Sequence, residues 1–170
     1  MLSRTASLVA RKVVPRASFA ARAFSSEATA DATSVTLNLS VPYESIYNGA
    51  AVEQVIIPGT EGEYGITVNH VPYVAQMKPG VLQVLFAGAE PEKYFVAGGY
   101  AVTHANSVTD VVCVEAVKLD DIDPSAVQSN YDAAKSAAGA AASGSVEEAE
   151  AMIDMEVNKA MGLAVGLTLA

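Results

Sequence analysis

Two carboxylates, Glu61 and Glu63, stand among three glycines at spacing three, Gly59, Gly62 and Gly65. Paired carboxylates perform acid–base work when their surroundings push their proton affinities apart. Glycine lacks Cβ and favours sharp turns with positive φ, so this stretch predicts a tight, exposed turn on which both groups stay hydrated. That leaves a solvated turn or an electrostatic contact as readings. The histidines are His70 and His104, and neither sits in a His-x-x-x-His or Asp/His cluster that would suggest a metal. Each reads as a strand-end histidine with local hydrogen bonds. Cys113 is the single cysteine, so a disulfide framework or cysteine zinc site is excluded. No basic group neighbours it to lower its pKa. Gly98-Gly99 lacks the Lys and Ser/Thr of a phosphate loop and reads as a bend. No Gly-x-Ser-x-Gly elbow is present, and an independent active site is not visible.

The elements that must carry these residues are short strands. Val35, Leu37, Leu39 and Val41 alternate with Thr36, Asn38 and Ser40, the pattern of a half-buried strand. Apolar runs over 52–57, 81–86, 93–97, 100–104 and 108–116 follow, punctuated by Pro72, Pro79-Gly80, Gly88-Ala89-Glu90-Pro91-Glu92 and Asn106-Ser107. Many short strands at regular spacing predict a sandwich or flattened barrel.

After Lys118 the period changes. Asp123-Pro124 has the form of an N-cap followed by proline at the first helical position. A helix is expected to about Ala138 with a stripe at Val127, Tyr131, Ala134 and Ala138, broken by Gly139 and Ser143-Gly144. Ser145-Val146-Glu147-Glu148 has the form of a capping box and opens a second helix with a stripe at Val146, Ala149, Ile153, Val157, Ala160, Ala164 and Leu167. The fold class is therefore α+β, an N-terminal antiparallel β-sandwich over 34–118 followed by a C-terminal antiparallel two-helix hairpin over 123–167. Alanine-rich stripes bury little area each, so the hairpin should lean on the sandwich or a partner and be the less stable part.

Charge divides the chain. Arg4, Arg11, Lys12, Arg16 and Arg22 are half of the 10 basic residues and no acid precedes Glu27, so the remainder carries 5 basic residues against 19 acidic ones. Such a body suits basic partners and excludes nucleic-acid binding, which needs clustered Lys and Arg. Residues 1–26 are basic, acid-free and rich in Ser and Ala, the composition of an organelle-targeting presequence, with Arg22-Ala23-Phe24-Ser25 resembling a mitochondrial processing site. No charge-free apolar run reaches the ~18 residues of a spanning helix.

Pro58-Gly59-Thr60-Glu61-Gly62-Glu63-Tyr64-Gly65-Ile66, His70-Val71-Pro72, Lys78-Pro79-Gly80, Val96-Ala97-Gly98-Gly99-Tyr100 and Asn106-Ser107-Val108-Thr109 occur in this order. Together they resemble the small rotor subunit of F-type ATP synthases, the mitochondrial delta and bacterial or plastid epsilon family, across most of the chain after the presequence. The resemblance implies a non-catalytic central-stalk subunit that joins the gamma shaft to the membrane rotor ring, peripheral on the matrix side of the inner mitochondrial membrane. It implies that Glu61, Gly62, Glu63 and Tyr64 face the ring, and that His70, Val71 and Pro72 lie at the gamma interface. The mitochondrial epsilon subunit would pack on the hairpin. Bacterial relatives bind ATP through Ile/Leu-Asp-x-x-Arg-Ala at the start of the tail. Here Ile122-Asp123-Pro124-Ser125-Ala126-Val127 lacks the arginine that would meet phosphate, so ATP binding by the tail is not expected and no cofactor is called. The alternative is a matrix β-sandwich that binds a small ligand under a helical lid. That alternative predicts an apolar pocket of roughly 300 Å³ or more, whereas a rotor clamp predicts an exposed apolar patch on one sandwich face.

Overall fold

The computed structural model describes residues 32–169, so the presequence expected at 1–26 lies outside the described residues. Ten strands come first: β1 (Val35–Val41), β2 (Glu44–Val52), β3 (Gln54–Gly59), β4 (Gly62–Ile66), β5 (Tyr73–Met77), β6 (Gly80–Leu85), β7 (Glu92–Val96), β8 (Gly99–Thr103), β9 (Val108–Cys113) and β10 (Ala116–Lys118). They pair in the order β10-β7-β6-β3-β5-β8-β9-β1-β2, with β4 hung on β3. The sheet folds over itself, so inward residues from distant strands meet in one core. Val35, Leu37, Leu39, Val55, Ile57, Leu82, Val84, Val96 and Val111 are buried there together. The alternation read in β1 is the inward–outward alternation of this wall. One pairing departs from the antiparallel expectation. β1 runs parallel to β9, with Leu39 opposite Val111, because the chain returns beside its first strand only after crossing the whole sandwich.

Side chains close the seam between the two ends of the strand order. Tyr47 on β2 donates to Glu92 Oε2 on β7 at 2.7 Å, and Tyr94 donates to the same oxygen at 3.0 Å. Tyr47 also packs edge-on against Phe86 and Tyr94, with centroids 5.9 and 6.0 Å apart. Nearby, the Tyr43 hydroxyl donates to the Glu115 carboxylate. The Tyr47 and Tyr94 hydroxyls hold the Glu92 carboxyl below its ordinary pKa. A depressed carboxylate stabilises the fold above its unfolded pKa and loses that contribution as pH falls through the folded value. Glu92→Gln is expected to cost about 1–2 kcal/mol at pH 7. Urea unfolding of both chains should show that gap shrinking as pH falls from the ordinary glutamate value of about 4.3 and through the lowered folded value.

Gly98 and Gly99 make the bend expected of them, with φ of 129° and 147°. Gly99 also lets β8 lie against β9, since a Cβ there would come within 2.8 Å of Cys113 Cα and strike the Val112 carbonyl oxygen.

The tail opens as read. Asp123 caps α1 (Pro124–Ala140) by accepting from the Ser125 N–H at 2.9 Å. Contrary to expectation Gly139 does not break this helix, which runs one residue past it, because a single glycine costs only about 1 kcal/mol in a helix. The break comes at Ser143-Gly144, where Gly144 takes φ 81°. Ser145 then caps α2 (Val146–Ala164), accepting from Glu148 N–H at 3.1 Å.

Val127, Tyr131 and Ala134 face inward on α1 as expected. On α2 the expected stripe is displaced. Ala151 and Gly162 are the buried residues, while Val146 and Ile153 are 69% and 61% exposed. Periodicity finds an apolar stripe but not which side of it a partner takes. The second side carries small residues, Ala151 facing the alanines of α1 and Gly162 lying under Leu169. Leu169 folds back into the base of the hairpin with Val127 and Tyr131.

Candidate interaction surface

The acidic loop is a β3–β4 hairpin in which Gly59 pairs with Gly62 around a turn made by Thr60 and Glu61. Neither turn residue has positive φ. Gly62 takes up the reversal with φ 138°. Gly59 and Gly65 lie within the paired strands, and Gly59 is required there because its neighbour is backbone, whereas at Gly65 the flexible end of Gln54 can give way. A Cβ on Gly59 would stand 2.8 Å from Gly62 O, and one on Gly65 would collide with the Gln54 side chain. Glu61 is exposed on the turn and Glu63 is exposed on β4 opposite Pro58. Neither carboxylate has an ion pair among the described residues, so the hairpin tip presents two uncompensated negative charges. Gly62 and Tyr64 are half-buried. The Tyr64 ring packs edge-on to Tyr73 at 5.6 Å, and burial pushes its hydroxyl up to about 12. Tyr64 thus braces the hairpin against β5.

His70, Val71 and Pro72 lie on the β4–β5 connection. His70 N–H donates to Thr67 O at 3.2 Å, closing a turn in which Asn69 takes φ 59°. The Asn69 N–H donates to Ser107 Oγ at 2.8 Å, which ties this connection to the β8–β9 turn. The His70 ring makes the expected local contact, its Nδ1 lying 2.9 Å from Val71 O. Val71 is 69% exposed and leads into β5.

From there an apolar face opens. Register places Gln76, Tyr100, Val112 and Ser40 in one row across β5, β8, β9 and β1, on the side opposite the core. Val74, Tyr100, Val112 and Val114 on this outer side are each more than half exposed. Clustered exposed apolar side chains on an otherwise acidic domain make this face a candidate for contact with a partner. The sequence signal was the unbroken run Val111-Val112-Cys113-Val114. A strand with one wet face alternates, so an uninterrupted apolar run means that both faces are to be covered. Cys113 itself points inward, and burial pushes its thiol up to about 11, which removes it as a nucleophile.

Two larger clefts carry charged and amide side chains, and a smaller one of about 230 Å³ on α2 is lined by Met152, Met155, Glu156 and Lys159. One of the larger two, of about 580 Å³, opens between the helices and is lined by Asn130, Glu147, Glu150, Asp154 and Asn158 over an alanine floor. The other lies by Glu90, Glu92, Lys93 and Lys118. No helix of the described residues is long and apolar enough to cross a membrane.

Comparison with known proteins gives a single direction. The family model of the ATP synthase delta/epsilon chain, β-sandwich domain, matches residues 34–118. ATP synthase subunit delta′, mitochondrial, of Ipomoea batatas is 44% identical over 131 residues, 77% of this chain and 64% of that protein. ATP synthase subunit delta, mitochondrial, of Eremothecium gossypii is 41% identical over 156 residues, 92% of this chain and 96% of its own length. A chain in the mitochondrial ATP synthase of Euglena gracilis, solved with OSCP, F1 and the c-ring, superposes with TM-score 0.72 at 26% identity, covering 78% of this chain and 81% of that one.

Proposed function

The chain belongs to the ATP synthase delta/epsilon family, a non-catalytic subunit of the mitochondrial enzyme, and from that premise we propose that it clamps the gamma shaft to the membrane rotor ring on the matrix side. The observation that carries this reading is the exposed apolar face of β5, β8 and β9 set beside an acidic hairpin on one rigid sandwich. A torque-bearing joint needs two contacts of different chemistry on a body that does not shear. The outer face together with His70, Val71 and Pro72 meets the shaft. Glu61 and Glu63 meet cationic loops of the ring, with Gly62 and Tyr64 holding their hairpin in place. The sandwich over 34–118 does the clamping, and the hairpin over 123–167 offers its uncovered α2 face to the small mitochondrial epsilon subunit. Asp123 serves as a helix cap, its carboxylate accepting from the Ser125 N–H and hydroxyl.

The test is a native gel of detergent-solubilised mitochondria carrying a C-terminally tagged copy, stained for ATP hydrolysis and blotted for the tag. Co-migration with the hydrolysing complex is expected. A tag found only in a small free species would sink the clamp and leave the ligand-binding module to be tested. Reversing the charge of the hairpin tip, with Glu61→Lys and Glu63→Lys together, should leave the isolated chain within about 0.5 kcal/mol per site of wild type. ATP synthesis in inverted vesicles should fall while ATP hydrolysis by the detached head is retained.

A further inference from the structure

A chain of hydrogen bonds crosses the outer face beside its apolar centre. Register places Val74, Val102, Asp110 and Asn38 side by side, one row along from Gln76, Tyr100, Val112 and Ser40. His104 Nε2 lies 2.8 Å from Asp110 Oδ2. Asn38 Nδ2 donates to Asp110 Oδ1 at 2.6 Å, and the Gly49 N–H donates to Asn38 Oδ1 at 2.7 Å. The backbone N–H of Gly49 fixes which way the Asn38 amide points, so Asn38 can only donate to Asp110. That donor, with His104 second to it, holds the Asp110 carboxyl below its ordinary value.

In the free chain the side chains of His104 and Asp110 are 46% and 41% exposed, and water screens the pair. Covering the face removes that water. A carboxylate shut in beside a neutral imidazole leaves a buried charge without a counterion, which is expensive, whereas a protonated imidazole cancels it. Histidine is the side chain able to supply that positive charge by taking up a proton. Among the described residues no second charge stands across the pair. The outward residues are Val74 and Gln76 on β5, and Thr36, Asn38 and Ser40 on β1. His70, on the connection that Asn69 pins to Ser107, is the other titratable group at this end of the face, and Glu115 lies beyond Val114 at the far end.

Resting on the docking of this face proposed above, we infer that His104 takes up a proton against Asp110 when the partner seats, so the clamp tightens on acidification and loosens in alkaline surroundings. The inference adds regulation to a surface that would otherwise be a passive joint. The test measures binding of the tagged full-length chain to ATP synthase particles stripped of this subunit, between pH 6 and 8.5, by calorimetry in two buffers of different ionisation enthalpy. One linked proton allows at most about tenfold in affinity per pH unit. Wild type is expected to weaken about tenfold from pH 6.5 to 8, with proton uptake on binding. His104→Gln, which keeps a hydrogen-bonding group, should bind with no such slope and no uptake. Asp110→Asn should also lose the slope, and His70→Gln should keep it. A slope that survives His104→Gln, or that vanishes with His70→Gln alone, overturns the inference. So does wild-type binding of equal strength at every pH, and the docking then still stands. If wild type binds the stripped particles at no pH, the docking of this face fails and the inference with it.

Discussion

Val112→Asp is expected to release the chain from the assembled synthase while leaving the isolated chain folded. Val112 sits in the middle of the outer face, 57% exposed, between Tyr100 on β8 and Ser40 on β1. In the free chain an aspartate there keeps most of its hydration, and exposed substitutions shift stability by about 0.5 kcal/mol or less. Under a docked partner the same carboxylate is desolvated with no counterion, because the neighbouring Asp110 has already engaged Asn38 and His104. Leaving a charge unpaired in an interface costs about 2–5 kcal/mol, which weakens binding by roughly 30- to several-thousand-fold. The measurement pairs a thermal melt of the isolated variant with its share of signal in the hydrolysing band of a native gel. A melt close to wild type together with a vacated band is the expected result. If the variant fills the band as wild type does, this face is not where the shaft binds.

The second large effect is on the fold itself. Gly99→Ala should cost about 2–6 kcal/mol, from positive-φ strain of about 1–3 kcal/mol and overpacking of about 1–3 kcal/mol. The backbone sits at φ 147°, and the added Cβ would meet Cys113 Cα at 2.8 Å as well as the Val112 carbonyl. Relief would require β8 and β9 to separate, which would also pull Tyr100 and Val112 out of register on the outer face. The midpoint of chemical unfolding should therefore drop and association should weaken together. Gly88→Ala serves as the control. It shares positive φ, but a Cβ there meets nothing within 4 Å, so only the strain remains. Should the two variants prove equally stable, close approach of β8 to β9 is not what glycine supplies at position 99.

The same distinction separates what was legible in the sequence from what was not. Residues that act on backbone within a few positions were readable, such as Asp123 and Ser145 capping the helices, Gly144 ending the loop between them and Gly62 completing the hairpin turn. The role of Gly59 and Gly99 was not, because each is required by a backbone atom of another strand. Glu61 and Glu63 were correctly placed on an exposed hairpin, but the turn takes only Thr60 and Glu61, and Glu63 belongs to the strand that follows. Tyr64, grouped with them by adjacency, turns inward to Tyr73. The stripe on α2 failed for a related reason. An apolar face can be recognised by its period, but which face is covered depends on tertiary contacts: Ala151 lines the gap to α1 and Gly162 is covered by Leu169.

By itself the sequence determined the α+β class, the family, the exposed acidic hairpin and the positions of both helices, because caps, turns and alternation act over a few residues. The docking face, the Tyr47–Glu92–Tyr94 seam and the His104–Asp110–Asn38 chain were decided only by tertiary structure. Their members lie up to 72 residues apart, and one parallel pairing of β1 with β9 supplies the register that aligns the widest of these separations. Local chemistry cannot specify which residues a sheet sets side by side when the strands carrying them are most of a domain apart. The closing of the sandwich sets that register, and the binding surface follows from it.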